Sequence, residues 1–369
     1  MRSRRRGGVH AQLDVVTGSE VPPYTGDLVS RLRPSYDLRM LRSKSYGTSG
    51  WSRGYGIVDH SLRVRREVRS HALVHIDTQR LAYVLAWSIP NPSVVVCYDV
   101  LTFRDDNRDP SYDAVRPVVD GLRKWLILRG LENADAIVCP SSFTRKELVS
   151  VSPKLSRRTV VIPLGVDPER FAPGDKAEAR RRLSLPPERP VVLAVGTESP
   201  RKNLERLLRS FSPLVERTKA ILVKIGRKRE PLRTKLMQLG RSLRIADSLQ
   251  FVEFATQDEL PLYYRAADVF VQPSLHEGFG IPPLEAMACG IPVVASRAAS
   301  LPEVLGDAAL FVDPLEESEI TEALLAVMTD HHLAQDLRER GLSRAELYSW
   351  ASCVSGYRSV FERVSSTAP

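Results

Sequence analysis

The stretch "DVFVQPSLHEGFGIPPLEAMACGIPVVAS" (residues 268–296) contains the pattern that decides the fold. Its first part, "DVFVQPS", is rich in β-branched and aromatic residues, which is typical of a buried strand. Gly278 and Gly280 mark a loop, because glycine permits backbone angles and close approaches that side chains forbid. Pro282 and Pro283 suit the first turn of a helix, where their missing N–H groups are not needed. A glycine ends that helix, and "IPVVAS" predicts a second strand.

The same alternation of short strands and longer helical patterns extends over the chain. Strands are predicted in the first half at 9–16, 72–77, 93–100, 134–141 and 159–165, and in the second half at 190–196, 220–226, 248–254, 268–274, 291–296 and 309–313. This alternation is typical of parallel sheets covered by helices on both faces. A proline- and glycine-containing segment near Pro163–Pro190 interrupts the pattern. We therefore predict an α/β protein with two doubly wound domains and a ligand cleft at the carboxyl ends of their strands.

The positive charge is concentrated in the first half of the chain. Of 53 Lys+Arg and 44 Asp+Glu, residues 1–170 hold 27 and 18, which accounts for the whole net charge of +9. This excess indicates an anionic partner, such as a phosphate-bearing acceptor or an acidic membrane surface. Nucleic acid is disfavoured, because the basic residues are scattered without interleaved aromatic residues or a known reading motif.

Other sequence features predict a cytoplasmic protein without a metal site. No run of 18 or more apolar residues appears, so no transmembrane helix is expected. The basic start "MRSRRR" is followed by an interrupted apolar stretch, which does not fit a secretory signal. The four cysteines lie far apart and form no CxxC pair, which favours reduced, buried thiols over a metal site.

Two carboxylates lie on either side of the Gly-Phe-Gly turn, Glu277 directly before it and Glu285 in the predicted first turn of the helix. A glycine turn leading into a helix N-terminus favours an anion, whereas a carboxylate accepts two hydrogen bonds from a vicinal diol. A ligand with both phosphates and diols is a nucleotide sugar. The alternative is that Glu285 only serves the helix start and Glu277 is a solvated loop residue.

The stretch "VVLAVGTESPRKNLERLLRSF" supplies cations at the end of another strand of the same domain. Arg201 and Lys202 precede a helix for which we predict Asn203 as the cap. Two cations there are suited to holding a diphosphate leaving group. A solvated basic helix start is the alternative.

Several blocks together resemble the retaining glycosyltransferases of family 4. "GTESPRKNLERLLRSF", "YYRAADVFVQPSLHEGFGIPPLEAMACGIPVVAS" and "LPEVLGDAALFVDP" look like the nucleotide-binding domain, and "NADAIVCPSSFTRKEL" and "VVIPLGVDPERFAP" resemble the interdomain region. The likeness covers roughly residues 90–350. It implies a GT-B fold: two Rossmann-like domains facing a central cleft, an acceptor domain at 1–170, a donor domain at 171–345, and a helix at 346–369 crossing back to the first domain.

The resemblance also implies roles for individual residues. Glu277 matches the glutamate that contacts the donor sugar's hydroxyls, and Glu285 the glutamate that binds the ribose diol. Arg201 and Lys202 match the basic pair that stabilises the diphosphate, and Gly196 the glycine that gives the donor room. The loop and helix start that would hold sugar and phosphates comprise Gly278, Phe279, Gly280 and Ile281.

The mechanism implied is a front-face displacement with retention, without a cofactor or metal ion. Glu277, Arg201, Lys202 and Asp99 are the residues expected to act in catalysis. On the acceptor side, family members often carry a histidine at a strand end. Here the matching stretches offer His75 and Asp77 in "ALVHIDTQ" and Tyr98 and Asp99 in "VVVCYDV". A buried structural role for His75 and a turn-forming role for Asp99 are the alternatives. Residues 51–56 and 104–117 are interpreted as surface loops.

The leading hypothesis is therefore a hexosyltransferase that moves mannose from GDP-mannose to a glycan or lipid-linked saccharide. A peripheral location at the inner face of a membrane is part of this hypothesis. The alternatives are a UDP-hexose-dependent transferase, a nucleotide-sugar epimerase, and a homologue that binds the donor without transferring it.

Overall fold

A computed structural model describes residues 11–18, 23–43, 50–87, 89, 91–103 and 117–366. The chain divides into two compact units. Unit 1 comprises Met1–Pro163 and Ala351–Pro369, and unit 2 comprises Leu164–Trp350. The chain therefore passes from one unit to the other at 163/164 and at 350/351. The sequence-based prediction placed these two boundaries at 170/171 and 345/346.

Unit 1 is built on a parallel six-stranded sheet with the strand order β2-β1-β3-β4-β5-β6. Its strands are β1 Ala11–Thr17, β2 Tyr36–Arg42, β3 Leu73–Ile76, β4 Ser93–Val96, β5 Ala136–Cys139 and β6 Thr159–Val161. Its α-helices are α1 Pro23–Leu32, α2 Gly50–Glu67, α3 Pro117–Asn133, α4 Ser142–Val151 and, from the C-terminal segment, α13 Trp350–Ser366. A 3-10 helix spans Gln79–Leu85.

The helices cover the unit 1 sheet with apolar side chains. One buried cluster joins Val74 and Val95 of the strands to the 3-10 helix and to Leu126 and Ile127 of α3. Helix α13 packs on His75 of β3. The ring centre of Tyr357 on this helix lies 5.7 Å from that of His75. The C-terminal segment therefore completes the core of unit 1.

Sequence reasoning missed two elements and misassigned a third in this unit. Strand β2, "YDLRMLR", was missed because it is an edge strand, and its polar residues interrupt any apolar run. Helix α1, "PYTGDLVSRL", was missed because its glycine and proline read as loop residues. Residues 51–56, interpreted as a surface loop, are helical and belong to α2. The second predicted loop, 104–117, lies outside the described residues except for its last position, where α3 begins.

Unit 2 contains the second parallel sheet, with the order β12-β11-β10-β7-β8-β9. Its strands are β7 Val191–Val195, β8 Ile221–Ile225, β9 Leu249–Val252, β10 Val269–Gln272, β11 Val293–Ser296 and β12 Leu310–Val312. Its α-helices are α5 Lys176–Arg182, α6 Leu204–Thr218, α7 Leu232–Ser242, α8 Leu260–Ala266, α9 Ile281–Ala288, α10 Leu301–Leu305, α11 Glu317–Thr329 and α12 His331–Glu346. Every strand predicted in this half is present.

Two further predictions can be compared with the described residues. All four cysteines are buried, with Cys97 and Cys139 in unit 1 and Cys289 in unit 2. Among the described residues, no helix is both long and apolar enough to cross a bilayer.

Candidate functional site

The predicted site residues of unit 2 follow two neighbouring parallel strands. Strand β7 pairs with β10, so the loops that follow them emerge at the same edge of the sheet. A hydrogen bond of 2.7 Å from the Leu275 amide to the Arg201 carbonyl joins the two loops. The fold therefore brings together residues that are more than seventy positions apart in the sequence, such as Arg201 and Glu277.

Glu277 lies at the centre of this group. Its Oε2 is 2.7 Å from Arg201 Nη1, and its Oε1 is 2.7 Å from Lys202 Nζ. Gln272, the last residue of β10, donates a further hydrogen bond of 2.9 Å to Oε1. The sequence-based prediction assigned the carboxylate to a sugar and the cations to a diphosphate, but in this structure they contact each other. Gln272 was not predicted, since a glutamine at the end of an apolar strand gives no signal of its own.

Burial and charge act in opposite directions on this carboxylate. Glu277 is only 7% exposed, and burial alone raises the pKa of a carboxyl group. The charges of Arg201 and Lys202 outweigh that effect and hold the pKa of Glu277 well below its usual range. Burial also lowers the pKa of the Lys202 ammonium, which Glu277 partly offsets. The group thus contains two cations and one carboxylate, with one net positive charge.

The two cations differ in accessibility. The Arg201 side chain is 28% exposed and also donates a 3.0 Å hydrogen bond to the His276 carbonyl. The Lys202 side chain is only 10% exposed. Arg201 is therefore the more accessible of the two cations for an incoming anion. The buried Lys202 mainly holds the Glu277 carboxylate in position.

Gly196 makes the close packing of Lys202 possible. Its φ of +146° lies in a region that residues with a side chain rarely adopt, and a Cβ there would lie 2.8 Å from Lys202 Cε. The predicted role of this glycine was to give a ligand room. In this structure the space beside it holds the lysine side chain.

Asn203 does not cap α6 in the predicted way. It has a left-handed backbone conformation, and its side chain makes no capping hydrogen bond. Its Nδ2 donates instead to the carbonyls of Pro273 and Pro314, at 3.1 and 2.7 Å. The asparagine therefore joins the β7 loop to the loops that follow β10 and β12, a role that needs tertiary contacts and cannot be predicted from the local sequence.

The glycine loop and the start of α9 are held from one side by Ser300. Its hydroxyl donates to the carbonyls of Glu277 and Phe279, each at 2.8 Å. Phe279 is buried, with its ring 5.6 Å from that of Tyr348. Gly280 has a φ of +115° and immediately precedes α9, whose first turn carries the two predicted prolines. Gly278 lies in the loop and Ile281 is the first residue of α9, and both are half-buried.

Glu285 lies one turn further along α9 than predicted. The helix begins at Ile281 and has no acidic residue in its first turn, so Glu285 lies in the second turn. Its Oε2 accepts a 2.7 Å hydrogen bond from the Tyr264 hydroxyl of α8. Burial, followed by the charge of Glu285, raises the pKa of Tyr264 well above its usual value. Tyr264 was not predicted as a site residue, because it reads as part of an apolar helix face.

A second buried ion network lies close to the group formed by Glu277, Arg201 and Lys202, since the charge of Lys202 acts on Lys224. Glu198 is fully buried and contacts Lys224 of β8 at 3.4 Å and Arg233 of α7. Burial lowers the pKa of Lys224 to about 8, although Glu198 opposes the shift. The network ties the β7 loop to β8 and α7, so we interpret it as the support of the loop that carries Arg201 and Lys202.

In unit 1, two of the predicted acceptor-side residues lie in one polar group. Asp77 accepts a hydrogen bond from Thr17, and its Oδ1 is buried without a hydrogen-bond partner in the described residues. Burial raises the pKa of Asp77 to about 6, against the lowering effects of the Thr17 and Thr25 hydroxyl groups. The rings of Tyr24 and Tyr98 are 4.4 Å apart, and the charge of Asp77 contributes to raising the pKa of both phenols after burial.

The other two acceptor-side candidates have structural contacts. Asp99 accepts a 3.1 Å hydrogen bond from the Leu101 amide, which is the turn-forming role given as its alternative. The buried Gln79 donates to the Asp99 carbonyl at 2.8 Å. His75 is 1% exposed beneath α13, and burial lowers its pKa to about 4. Its ring is therefore neutral and packed in the core at physiological pH. Among the described residues, no group of three or more His, Cys, Asp or Glu side chains is arranged to hold a metal ion.

Comparison with protein families assigns both halves of the chain. The family model described as "Glycosyltransferase Family 4" matches residues 19–170, and the model described as "Glycosyl transferases group 1" matches residues 175–344. The two matches together extend over residues 19–344 except for 171–174, and they include the loops that carry the residues described above.

Curated relatives and solved structures agree with these matches. The chain is 31% identical to the O-antigen chain mannosyltransferase B of Escherichia coli, over 71% of the chain and 68% of that protein. It is also 31% identical to the serotype-specific mannosyltransferase WbdA of Escherichia coli over 75% of the chain, but this match spans only 34% of WbdA. Among solved structures, Anabaena Alr3699/HepE in complex with UDP and glucose superposes with a TM-score of 0.77 at 16% identity, covering 95% of this chain and 100% of that one.

Proposed function

The chain belongs to the family 4, group 1 glycosyltransferases and has their GT-B fold, and on this premise we propose that it transfers mannose from GDP-mannose to a hydroxyl of a glycan or lipid-linked saccharide. The observation that carries the donor half of the proposal is the contact of Glu277 with both Arg201 and Lys202 at the strand ends of unit 2. The preference for mannose is supported by the two mannosyltransferase relatives.

The charges of this group suit a nucleotide sugar. One net positive charge remains after Glu277 is counted, and the N-terminus of α9 adds a partial positive charge. A diphosphate would bind the more exposed Arg201, while Lys202 continues to orient Glu277 toward the hexose hydroxyls. Glu285, oriented by Tyr264, would accept the hydrogen bonds of the ribose diol. Carboxylates and cations would therefore contact different parts of one ligand.

The proposed reaction is a front-face displacement that retains the anomeric configuration. The bond between the anomeric carbon and the diphosphate oxygen breaks, and the acceptor hydroxyl forms the new bond on the same face. The acceptor proton passes to an oxygen of the departing diphosphate. Arg201 and Lys202 stabilise the developing negative charge, so we propose that the reaction needs no metal ion.

A UDP-hexose is the second candidate donor, because the HepE structure was solved with UDP and glucose. A thermal-shift screen with GDP-, UDP- and ADP-sugars tests the choice. GDP-mannose is expected to give the largest stabilisation, and Glu285→Ala should abolish the nucleotide-dependent shift. A larger shift with UDP-glucose than with GDP-mannose would mean that the donor is a UDP-hexose. The absence of a shift with every nucleotide sugar would contradict the proposed function.

The Tyr264–Glu285 hydrogen bond provides a more specific test of the ribose contact. Tyr264→Phe removes the hydroxyl that orients the carboxylate, and a hydrogen bond to a charged group contributes about 1.5 kcal/mol or more. We expect the Kd for GDP, measured by calorimetry, to rise about tenfold. Tyr263→Phe on the same helix is the matched control and should leave the Kd unchanged. If Tyr264→Phe and Tyr263→Phe change the Kd for GDP equally, Glu285 does not bind the ribose.

On the acceptor side we propose that Asp77 accepts the hydrogen bond of the acceptor hydroxyl, since it directly follows strand β3 and its charge acts on the phenols of Tyr24 and Tyr98. Its raised pKa of about 6 means that the carboxyl group is protonated below that pH and becomes an acceptor above it. The kcat/KM for the acceptor should therefore rise with pH through about 6. Asp77→Asn should remove this dependence, whereas Asp99→Asn should keep it. A profile that is flat between pH 5 and 7 would exclude Asp77 from this role.

A membrane-presented acceptor is the third part of the proposal. The excess of basic residues in 1–170 favours an anionic surface, and a lipid-linked saccharide would be presented at such a surface. We therefore propose a cytoplasmic protein that associates peripherally with the inner face of the membrane.

A further inference from the structure

The exposed large apolar side chains of unit 1 are concentrated on one layer of helices. In the described part of the unit they are Val58 and Leu62 of α2, Trp87 after the 3-10 helix, and Leu122 and Trp125 of α3. Trp87 is 47% exposed, and Trp125 is 55% exposed. A half-exposed tryptophan is uncommon because the ring is large and apolar, so two in one layer require an explanation.

These elements pack side by side. Asn133 at the end of α3 donates a 2.8 Å hydrogen bond to the Leu85 carbonyl of the 3-10 helix. His60 of α2 lies 2.8 Å from the Tyr83 hydroxyl of the same 3-10 helix. The sheet-facing side of α3 buries Leu126 and Ile127. Trp125 occupies the opposite side of the helix, because successive helical residues are rotated by about 100°.

The two tryptophans line an open groove. Trp87 and Trp125 border a cavity of about 450 Å³ together with Arg129 and Asn133. The guanidinium carbon of Arg129 lies 6.0 Å from the centre of the Trp125 ring, which is within the range of a cation–π contact. A cation is therefore held beside the exposed aromatic surface.

Arginines recur at helical spacing from the exposed apolar residues. Arg66 follows Leu62 by one turn on α2, and Arg129 follows Trp125 by one turn on α3. Both arginines are exposed. We define the aromatic–basic patch as Leu62, Arg66, Trp87, Leu122, Trp125 and Arg129.

We propose that the aromatic–basic patch is the surface by which this protein docks onto an anionic lipid bilayer. Tryptophan rings favour the level of the lipid headgroups, leucine side chains enter the acyl boundary, and arginines attract anionic headgroups. All six residues of the patch lie within residues 1–170, which carry the entire net charge of the chain. The inference rests on the proposed function for its purpose, because a lipid-linked acceptor requires the enzyme to reach a membrane.

A protein partner fits the patch less well. Tryptophan and arginine are enriched in protein–protein interfaces as well, so the composition of the patch does not by itself exclude a protein. The charge favours the bilayer, because the patch lies within residues 1–170, which carry the whole net charge of +9. A bilayer interface accommodates this mixture, since the rings and leucines enter it while the guanidinium groups remain among the phosphates.

Vesicle flotation of the full-length protein tests the proposal. The wild type should float with vesicles of phosphatidylcholine and phosphatidylglycerol and much less with phosphatidylcholine alone. Trp87→Ser/Trp125→Ser should lower the apparent affinity at least tenfold. Arg66→Glu/Arg129→Glu should lower it by a similar factor on anionic vesicles only, since each basic residue near the surface contributes about fivefold.

Matched substitutions in unit 2 control for general effects. Phe254→Ser/Leu347→Ser removes two other exposed apolar side chains, and Arg182→Glu/Arg241→Glu reverses two other exposed charges. Both variants should float like the wild type. Equal losses in the control and patch variants would overturn the assignment of the patch, as would binding that is independent of lipid charge.

Two further measurements keep the test independent of folding and of the donor site. Brominated lipids should quench the tryptophan fluorescence of the wild type, and the conservative Trp87→Phe/Trp125→Phe variant should lose this quenching. The thermal shift with GDP-mannose should be the same in all patch variants. If the wild type binds GDP-mannose but no vesicles, the docking proposal is refuted and the proposed donor site is not. Concentration-dependent dimerisation that is lost in the tryptophan variants, without lipid binding, would assign the patch to a second copy of the chain.

Discussion

Replacing Glu277 by glutamine is expected to reduce transfer about a thousandfold while making GDP bind about tenfold more tightly. The loss follows because the carboxylate proposed to hold the hexose is removed, and deleting one well-placed polar group in an active site costs on the order of 10²–10³ in kcat. The gain follows because Arg201 and Lys202 no longer have a carboxylate between them. The net charge facing the diphosphate then rises from one to two.

The same substitution should destabilise the free protein. Two partly buried cations lose their common partner, and breaking a buried ion pair costs about 3 kcal/mol or more. GDP should restore most of this stability, because its phosphates replace the missing charge. Glu346→Gln, at an exposed position, is the matched control. Unchanged or weaker GDP binding by Glu277→Gln, measured by calorimetry, would contradict the assigned charge balance.

Replacing Lys202 by methionine is expected to have the next largest effect. The methionine keeps much of the apolar volume beside Gly196 but removes the ammonium from Glu277 Oε1. Arg201 then neutralises Glu277 alone, and no net positive charge remains for a diphosphate. We expect the Kd for GDP to rise about a hundredfold, which corresponds to about 2.7 kcal/mol, and kcat to fall by a similar factor.

The comparison with Arg201 makes this prediction more specific. Arg201→Met should weaken GDP binding as strongly, but it should lower the unfolding temperature less, since the arginine side chain is more exposed. Lys235→Met, at an exposed lysine of α7, should change neither quantity. If Lys202→Met binds GDP like the wild type, the lysine serves only to support the fold.

The donor half of the site was predictable because its signals are local. Gly280 and the two prolines mark the start of α9, and the apolar runs before each loop predict the strands. A parallel sheet then places the loops after β7 and β10 at one edge, so the proximity of Arg201 and Glu277 follows from topology. Their direct contact does not follow, because it depends on side-chain directions and on Gln272 at the strand end.

The features that the sequence did not reveal depend on contacts between distant segments. Asn203 was predicted to cap its own helix, but it bonds to the carbonyls of Pro273 and Pro314. The hydroxyl of Tyr264 has no sequence signature, and its role appears only when α8 lies beside Glu285. In unit 1, β2 pairs with a single neighbour and needs no continuous apolar run, so the usual strand signal is weak.

Calorimetric titration of GDP and GDP-mannose into the wild type and Glu277→Gln tests the central claim most directly. The central claim is that Glu277, held by Arg201 and Lys202, binds the hexose of the donor. The wild type should bind GDP-mannose more tightly than GDP by about tenfold, equivalent to about 1.4 kcal/mol. Glu277→Gln should reverse this order, because it loses the contact to the hexose and gains affinity for the diphosphate. The same preference for GDP-mannose in both proteins would show that Glu277 does not contact the sugar and would contradict the account.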